Sequence, residues 1–358
     1  DSNTILGFLQ QDKFRLDKIH CYYARFVDLK GKDYKNSDED YFVNKLITND
    51  RVRISNVNIP SIDVINEIDS SQKFKSEPDY DATRHIQNRV NKMCQNDGCD
   101  LIFTGFDGDV IVSHGYETIF SQLFSGKILE AYKEYKMDRS KKKLDTNFLD
   151  FIKRFIAPIC TPYLLKHLYK SVKSELIQDE SAFLASKDLR KSITYKDNKR
   201  VFDISGKKIL DKQELIFNSF FWQHYFEILH YDINQLGMEY RHPFMDKEFM
   251  SYCLNLPLGM RRKNGFNRYV MREAMKGLIP NEIITRVTKS NVGEYYNYSL
   301  RDNFTSMKEC IHSAPHCLRQ YLDIDRLEQM SFSKSSNLQL ISFQQINTLI
   351  KWYSANFS

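Results

Sequence analysis

The chain has 358 residues, of which 42% are hydrophobic and 27% charged, the proportions of an ordinary globular protein rather than a disordered one. It contains no run of about 18 apolar residues, so the sequence predicts no membrane span, and its first residues lack the pattern of a signal peptide. The net charge of +6 suits anionic ligands without indicating nucleic acid. Seven scattered cysteines favour reduced thiols and a cytoplasmic protein over a disulfide framework.

The first half of the chain alternates runs typical of strands with amphipathic segments typical of helices. In chain order these are a helix over residues 1–11, a strand over 19–27, a helix from about Asp38, a strand over 51–59, a short helix over 61–68, a helix over 81–95 and a buried strand over 100–104. Such alternation predicts an α/β fold with a doubly wound parallel sheet. Ligands of these sheets bind at the carboxyl ends of the strands, so chemistry is expected in the loop from Gly105 to Gly115.

Long aromatic-rich amphipathic segments replace this alternation from about Tyr116 onward. They cover residues 117–135, 146–172 and 215–236, and they leave few strand candidates. The second half is therefore predicted to be mainly helical. We expect two regions, an α/β core over residues 1–136 and a helical region over 137–358 that completes the site.

The densest chemical signal is the run from Thr104 to Asp109, which contains two glycines and two aspartates. Glycines let the backbone approach a ligand closely, and the carboxylates of Asp107 and Asp109 could bind Mg²⁺ at the phosphates of a nucleotide. An ordinary Asp-Gly turn after a strand has the same composition. The run alone therefore does not decide between a ligand site and a turn.

Later segments are also ordinary when each is taken singly. In the segment from Glu239 to Asp246, a Glu and an Arg two residues apart precede a Pro and a capping Asp. This pattern predicts a buried ion pair that fixes a turn before a helix. The stretches 267–275, 278–280 and 283–289 are each typical of a helix or of a helix boundary.

Taken in order, these segments resemble the synthetase domain of the asparagine synthetase family over roughly residues 1–295. Family members carry a Ser-Gly-Gly-Leu-Asp-Ser pyrophosphate loop, then Ser-Gly-x-x-x-Asp, Glu-x-Arg-x-Pro-Phe-x-Asp, Arg-x-x-Arg-x-Ala, Leu-Pro and Arg-x-x-Lys. The corresponding residues here are Asp1-Ser2, Thr104-Gly105 with Asp109, Glu239 to Asp246, Arg268 with Glu273-Ala274 (Arg272 stands directly before Glu273), Ile279-Pro280, and Arg286 with Lys289. The earlier arginine of the helix motif, Arg268, is one residue off the family spacing.

The resemblance implies an ATP pyrophosphatase type of fold, ATP and Mg²⁺ as cofactors, and amide-bond formation through an acyl-adenylate. Asp1 and Asp109 would share the metal ion, and Lys289 would hold pyrophosphate as it leaves. The remaining candidate residues are Asp1, Ser2, Thr104, Gly105, Asp107 and Gly108 for nucleotide binding, and Asp109, Tyr225 and Glu227 for catalysis. Asp1-Ser2 matches only the end of the pyrophosphate loop, although a simple helix cap would look the same. The core over 1–136 is therefore expected to be truncated, and the chain as given to fold partly and catalyse poorly.

One position departs from the family pattern in a way that bears on the chemistry. Asparagine synthetases have a Glu and β-lactam synthetases a Tyr where this chain has Phe106, which can neither accept nor donate a proton. With Ser113-His114-Gly115, the loop is more similar to asparagine-synthase-related tailoring enzymes, including lasso-peptide macrolactam synthetases. A general base must then come from elsewhere, and the segment with His224, Tyr225 and Glu227 is a candidate. Tyr225 could equally belong to a packed aromatic helix.

The resemblance leaves several functions open. The favoured one joins a small-molecule or peptide carboxylate to an amine or ammonia, without a membrane or nucleic acid as partner. A true glutamine-dependent asparagine synthase would need a glutaminase domain upstream or on a partner protein. A non-catalytic scaffold that keeps the fold and an RNA-modifying ATP pyrophosphatase are further alternatives, but the second would favour a basic face that is not evident.

Overall fold

The computed structural model describes residues 1–14, 16–30, 39–47, 50–60, 72–73, 75–81, 83–112, 115–157, 183–192, 220–287 and 292–357. Some of the predicted features lie outside these residues. They are the start of the helix at about Asp38, the short helix over 61–68, residues 158–172 of the segment 146–172, residues 215–219 of the segment 215–236, the pair Ser113-His114, and Lys289.

The described part of the chain is rich in helix and contains three pairs of strands. In chain order the elements are α1 (Ser2–Leu9), β1 (Ile19–Phe26), α2 (Asp40–Leu46), β2 (Val52–Ile59), α3 (Arg84–Asn96), β3 (Leu101–Phe103), α4 (Gly108–Ile111), α5 (Tyr116–Phe124), α6 (Ile128–Lys141), α7 (Phe148–Phe151), α8 (Lys187–Ser192), α9 (Phe220–Asn234), β4 (Glu239–Arg241), α10 (Lys247–Leu254), α11 (Leu258–Arg261), β5 (Arg262–Lys263), β6 (Phe266–Asn267), α12 (Tyr269–Ala274), α13 (Asn281–Ile284), α14 (Val292–Asp302), α15 (Phe304–His312), α16 (His316–Arg319), α17 (Ile324–Gln329) and α18 (Asn337–Phe357). The fold is mixed α/β, as the alternation of the first half predicted.

The strands form two small parallel sheets and one antiparallel hairpin. β1 pairs with β2 so that Ile19 lies opposite Val52, and β3 pairs with β4 so that Phe103 lies opposite Arg241. β5 and β6 make the hairpin. The described strands thus form separate two-stranded sheets rather than one continuous sheet. The parallel pairing and three of the strands agree with the sequence prediction.

The segment from Glu239 to Asp246 was predicted to hold a buried ion pair and a turn before a helix. The turn is present at Pro243–Met245, but the residues before it form β4, and the predicted burial of the ion pair was wrong. Arg241 does pair with Glu239, but the two side chains are 53% and 52% exposed. The sequence pattern did not reveal the strand because only one residue of the three, Tyr240, is buried. The predicted helix cap is confirmed, since the carboxylate of Asp246 accepts a hydrogen bond of 2.9 Å from the backbone N–H of Phe249.

One apolar cluster joins the start of the chain to a segment about 270 residues later, which positions the site. Leu6 of α1 and Ile19 of β1 pack with Met275, Ile279 and Ile283. The fit is close, because a Cβ built at Gly7 would lie 2.3 Å from Cγ2 of Ile279. Burial of these side chains supplies the hydrophobic stabilisation that holds the two segments together.

A second cluster fixes the loop after β3. Ile111 and Val112, at the end of α4, pack with Phe244 and with Cys253 of α10. Because Phe244 lies three residues after the end of β4, the loops at the carboxyl ends of β3 and β4 share one core. These loops are therefore held as neighbours by apolar contacts beneath them.

The last part of the chain is a helical layer with its own core. Met307 and Ile311 of α15 pack against Leu327 of α17 and Phe343 of α18. This agrees with the prediction of a mainly helical second half. In the part of the chain that the structure describes, no helix is long and apolar enough to cross a membrane.

Candidate functional site

The two loops that the sequence analysis singled out lie against each other. A Cβ built at Gly105 would lie 2.4 Å from the backbone nitrogen of Ser2, and one at Gly108 would lie 2.7 Å from Cγ of Asp1. Real Cβ atoms do not tolerate such distances, so only glycine permits this approach. The structure thus brings residues 1–2 together with the loop from Thr104 to Asp109.

The side chain of Asp1 does not cap helix α1. Asp1 stands at the N-cap position, yet its carboxylate makes no capping hydrogen bond there. Both carboxylate oxygens instead accept hydrogen bonds from Nη1 of Arg268, at 2.6 and 2.7 Å. The role of Asp1 as a simple helix cap therefore has no support in the geometry.

Arg268 is influenced by both carboxylates that the resemblance assigns to Mg²⁺. Burial lowers the pKa of Arg268, and the negative charge of Asp109 opposes that shift, so Asp109 is close enough to act on the guanidinium. Two carboxylates converging on one place fit Mg²⁺, which proteins usually hold with one or two carboxylates while phosphates and water complete its coordination. No group of three or more His, Cys, Asp or Glu side chains that could enclose a metal ion occurs among the described residues.

Two further arginines fix the segment that carries Arg268. Arg272 donates to the backbone oxygens of Asn267 and Ile284, and its pKa falls to about 10 because of burial and the neighbouring charge of Arg268. Arg286 forms a bidentate pair with Glu39 at 2.7 and 2.9 Å. The positive charges of Arg268 and Arg272 thus lie close to each other on the side of Asp1, whereas Arg286 is paired with Glu39. Lys289 follows Arg286 by three residues but lies outside the described part of the chain.

The sequence comparison did not identify Arg268 as the contact of Asp1. The sequence analysis matched Arg268 to the first arginine of the helix motif, one residue off the family spacing, and assigned no contact to it. The structure shows that Arg272 binds backbone oxygens and that Arg268 reaches the carboxylate. Arg268 has a left-handed backbone conformation with a φ of 51°, which is uncommon outside glycine and turns its side chain away from the regular helix.

Phe106 anchors an aromatic cluster at the same edge. Its ring stacks on Tyr225 of α9, with centroids 5.0 Å apart and an angle of 12°, and it meets Phe226 edge-on at 5.3 Å. Burial raises the pKa of Tyr225 to about 12, so the phenol keeps its proton at neutral pH. The structure thus brings Tyr225 against Phe106, and this stacking also agrees with the packed aromatic helix that the sequence analysis left open.

Glu227, in contrast, lies on another side of α9. Two helical residues that are two positions apart point about 200° apart around the helix axis. The carboxylate of Glu227 is exposed and accepts a hydrogen bond of 3.2 Å from Gln223. His224 lies 2.7 Å from the carboxylate of Glu77. Neither of these two contacts involves Phe106.

A buried group of charges lies beneath Tyr225 and was not expected from the sequence. The guanidinium of Arg84 lies 5.1 Å from the centre of the Tyr225 ring and 2.6 Å from the carboxylate of Asp79. Lys75 joins Asp79 to Asp232 of α9, at 3.1 Å from each. This network ties α3 to α9 and so fixes the position of Tyr225. Asp232 lies more than 140 positions after the other three residues, so no local pattern could have revealed its part in the network.

His242 is a second residue that the sequence analysis missed. It follows β4 directly, and its Nδ1 lies 2.6 Å from Oγ1 of Thr104. It occupies a position that the family motif leaves open, so the motif carried no signal for it. Only the pairing of β3 with β4 places it beside the loop of Phe106.

Comparison with known proteins identifies the class to which this fold and site belong. The family model described as asparagine synthase matches residues 1–353. The glutamine-hydrolysing asparagine synthetases of Bos taurus and Homo sapiens are each 47% identical to the chain over 53 residues, and that of Mus musculus is 45% identical over a stretch of the same length. These matches cover 14% of this chain and 9% of each relative, so the chain aligns with a small part of those proteins. The chain belongs to the asparagine synthase family.

Proposed function

We propose that the protein is an ATP-dependent ligase that forms amides. It would convert a carboxylate into its acyl-adenylate with release of pyrophosphate, and an amine or ammonia would then replace AMP. The observation that carries the proposal is the convergence of Asp1, Asp109 and Arg268 between two glycine-lined loops, in a chain that matches the asparagine synthase family from end to end. An anionic nucleotide and a divalent ion fit this distribution of charge.

Each residue of the candidate site has a proposed part in this reaction. Asp1 and Asp109 would hold Mg²⁺, which neutralises phosphate charge when it is bound. The backbone around Ser2, Gly105 and Gly108 would lie along the phosphates, with Thr104 and Asp107 completing the loop. Lys289 would stabilise the charge that develops on pyrophosphate as it leaves. Tyr225 would line the place where the amine approaches, and Glu227 is the weaker candidate because it is exposed.

The architecture that we propose for this activity joins the separate strand pairs described above. We propose that the pairs β1–β2 and β3–β4 belong to one doubly wound sheet of the ATP pyrophosphatase type. The region over 1–136 would bind the nucleotide, and the region over 137–358 would complete the synthetase site. The short pairs are both parallel, and their connecting helices pack beside them, which supports this arrangement.

Phe106 bears on the identity of the substrates. A phenyl ring cannot perform the proton transfer assigned to the glutamate of asparagine synthetases, and here it is packed against Tyr225 and Phe226. We therefore propose that free aspartate is not the substrate, and that the carboxylate belongs to another small molecule or to a peptide, as in the tailoring enzymes that the loop resembles. The glutamine-dependent synthesis named for the relatives above is the less favoured proposal.

The products of ATP test the proposed function directly. The full-length protein is incubated with Mg²⁺, ATP and a panel of amino acids and short peptides. It should release AMP and pyrophosphate when the panel includes the carboxylate that is its substrate. Separation of the nucleotides by ion-exchange chromatography distinguishes AMP from ADP. ADP and phosphate as the main products would contradict the proposal, because the candidate site was matched to a pyrophosphate loop rather than to a kinase-like loop.

A further inference from the structure

His242 is held against the candidate site through one of its two ring nitrogens. β3 and β4 are parallel, so Thr104 and His242 leave the sheet at the same edge. The backbone N–H of Thr104 donates to the oxygen of Arg241 at 3.0 Å, and Oγ1 of Thr104 lies 2.6 Å from Nδ1 of His242. The imidazole is thus fixed to the loop that continues to Phe106 and Asp109.

The other ring nitrogen, Nε2, is buried and makes no hydrogen bond to any residue that the structure describes. The rings of Phe106, Phe226, His230 and Tyr240 surround the imidazole, with centroid separations between 5.3 and 5.7 Å. Unpaired buried polar atoms are rare in native proteins, and a role in catalysis is one of the reasons why they persist. Nε2 therefore has a hydrogen-bonding capacity that no described residue uses.

The environment keeps the imidazole neutral. Burial, with a smaller contribution from His230, lowers the pKa of His242 to about 4. A neutral imidazole carries one N–H and one lone pair. When Nδ1–H donates to Oγ1 of Thr104, the lone pair lies on Nε2, which then can accept a proton. Oγ1 of Thr104 also accepts from the backbone N–H of Phe106 at 3.4 Å, which helps to orient the hydroxyl.

The other candidates for a base near Phe106 are less suitable. Tyr225 stacks on Phe106, but its raised pKa of about 12 keeps the phenol protonated at neutral pH. Glu227 is exposed on a different side of α9. The ring centroids of His242 and Phe106 lie 5.6 Å apart, and the imidazole is neutral at neutral pH. Of these three side chains, it alone combines a ring contact with Phe106 and a nitrogen that can take up a proton to form a stable cation.

We propose that Nε2 of His242 is the general base that takes a proton from the attacking amine, in the role that Phe106 cannot perform. The amine nitrogen forms a bond to the acyl carbon, the bond from that carbon to the phosphate oxygen breaks, and its electron pair leaves with AMP. The proton of the amine passes to Nε2. The negative phosphate of the adenylate favours the imidazolium that forms. This inference rests on the proposed function, because it needs an acyl-adenylate.

The test separates the two half-reactions in the full-length protein. Exchange of radiolabelled pyrophosphate into ATP, with the same panel of carboxylates, reports adenylation, and amide formation from methylamine or ammonium reports the second step. The variant His242→Asn keeps an amide near Thr104 but loses Nε2. We expect exchange within about threefold of wild type and a loss of amide formation of about 100-fold, at the lower end for a general base. His230→Phe, in the same cluster, is the matched control and should retain both steps.

Several results would overturn the inference. Amide formation at the wild-type rate in His242→Asn removes His242 from the reaction, and an equal loss of exchange and amide formation assigns it a structural role. If wild-type protein exchanges pyrophosphate with no carboxylate, the proposed function itself fails. A measurement independent of activity is the histidine ¹⁵N spectrum of the wild-type protein at neutral pH. It should show His242 with the proton on Nδ1, and a proton on Nε2 would exclude it as a base even where the variants fail to fold.

Discussion

At the scale of single residues, the site depends on positions where a side chain would not fit and on positions where a charge has one defined partner. A Cβ at Gly108 would overlap the side chain of Asp1, so the two segments pack in this way only with glycine at position 108. Arg268 binds both oxygens of that Asp1. These contacts make the arrangement of the site sensitive to changes as small as one methyl group.

The first prediction concerns that methyl group. In Gly108→Ala, the added Cβ would lie 2.7 Å from Cγ of Asp1, so the carboxylate or the loop must shift. We expect the affinity for Mg-ATP, measured by isothermal titration calorimetry, to fall at least tenfold. Gly259→Ala is the matched control, because a Cβ there meets nothing within 4 Å, and it should bind as the wild type does. Equal affinities in all three proteins would place the nucleotide elsewhere.

A second prediction concerns two charges of the candidate site. Asp109→Ala and Lys289→Ala should each reduce the rate of AMP formation about 100-fold, as expected when one electrostatic contact of the transition state is lost. Lys276→Ala is the control for the loss of a lysine, since Lys276 is exposed and pairs with Glu273 on the surface. A variant that folds like the wild type and turns over at its rate removes that residue from the site.

At the scale of elements, packing determines how firmly the helical second half supports the site. Leu327 of α17 is fully buried in the cluster of α15 and α18, whereas Leu129 of α6 is 85% exposed. The same substitution at these two positions therefore tests burial alone. Removing a buried leucine side chain loses its transfer free energy and leaves a cavity.

We accordingly predict a difference between two leucine variants. Leu327→Ala should lower the free energy of unfolding by about 2–5 kcal/mol, and Leu129→Ala should change it by less than about 0.5 kcal/mol. Urea denaturation followed by circular dichroism provides the measurement. Similar midpoints for the two variants would mean that the helical layer unfolds separately from the transition that is observed.

The elements also show which structural features the sequence could predict and why it could not predict the others. The strand at 101–103 was recognisable as a short apolar run, and the cap at Asp246 as a local pattern. β4 was missed because two of its three residues are charged and exposed. The contacts of Arg268 with Asp1, and of His242 with Thr104, join residues more than 130 positions apart. Such contacts depend on the packing of the whole chain, on which a local pattern carries no information.

At the scale of the whole molecule, two apolar clusters bring four distant segments to one place. The cluster of Leu6 with Ile279 joins the chain start to the arginine segment, and that of Ile111 with Phe244 joins the two strand-end loops. The charged residues and the aromatic cluster of the site therefore lie close together although they are far apart in the sequence. The chemistry proposed for the protein is a property of this assembly.

The prediction at this scale concerns the reaction as a whole. The full-length protein should form little asparagine from aspartate, ATP and ammonium, because Phe106 packs where the asparagine synthetases carry a glutamate. Amino-acid analysis of the reaction mixture measures the product, with a bona fide asparagine synthetase as the positive control. Efficient formation of asparagine would restore the synthesis named for the relatives as the function of this chain.

The contact between Gly108 and Asp1 has a consequence for how the sequence can vary. A larger residue at position 108 needs a smaller one at position 1, but any smaller residue there loses the carboxylate that binds Arg268. Changes at the two positions are therefore not additive, since each alters the space left for the other. Mutational scanning should record a double variant that is less impaired than the sum of the two single changes, because a smaller residue at position 1 already removes the carboxylate that a larger residue at position 108 would displace.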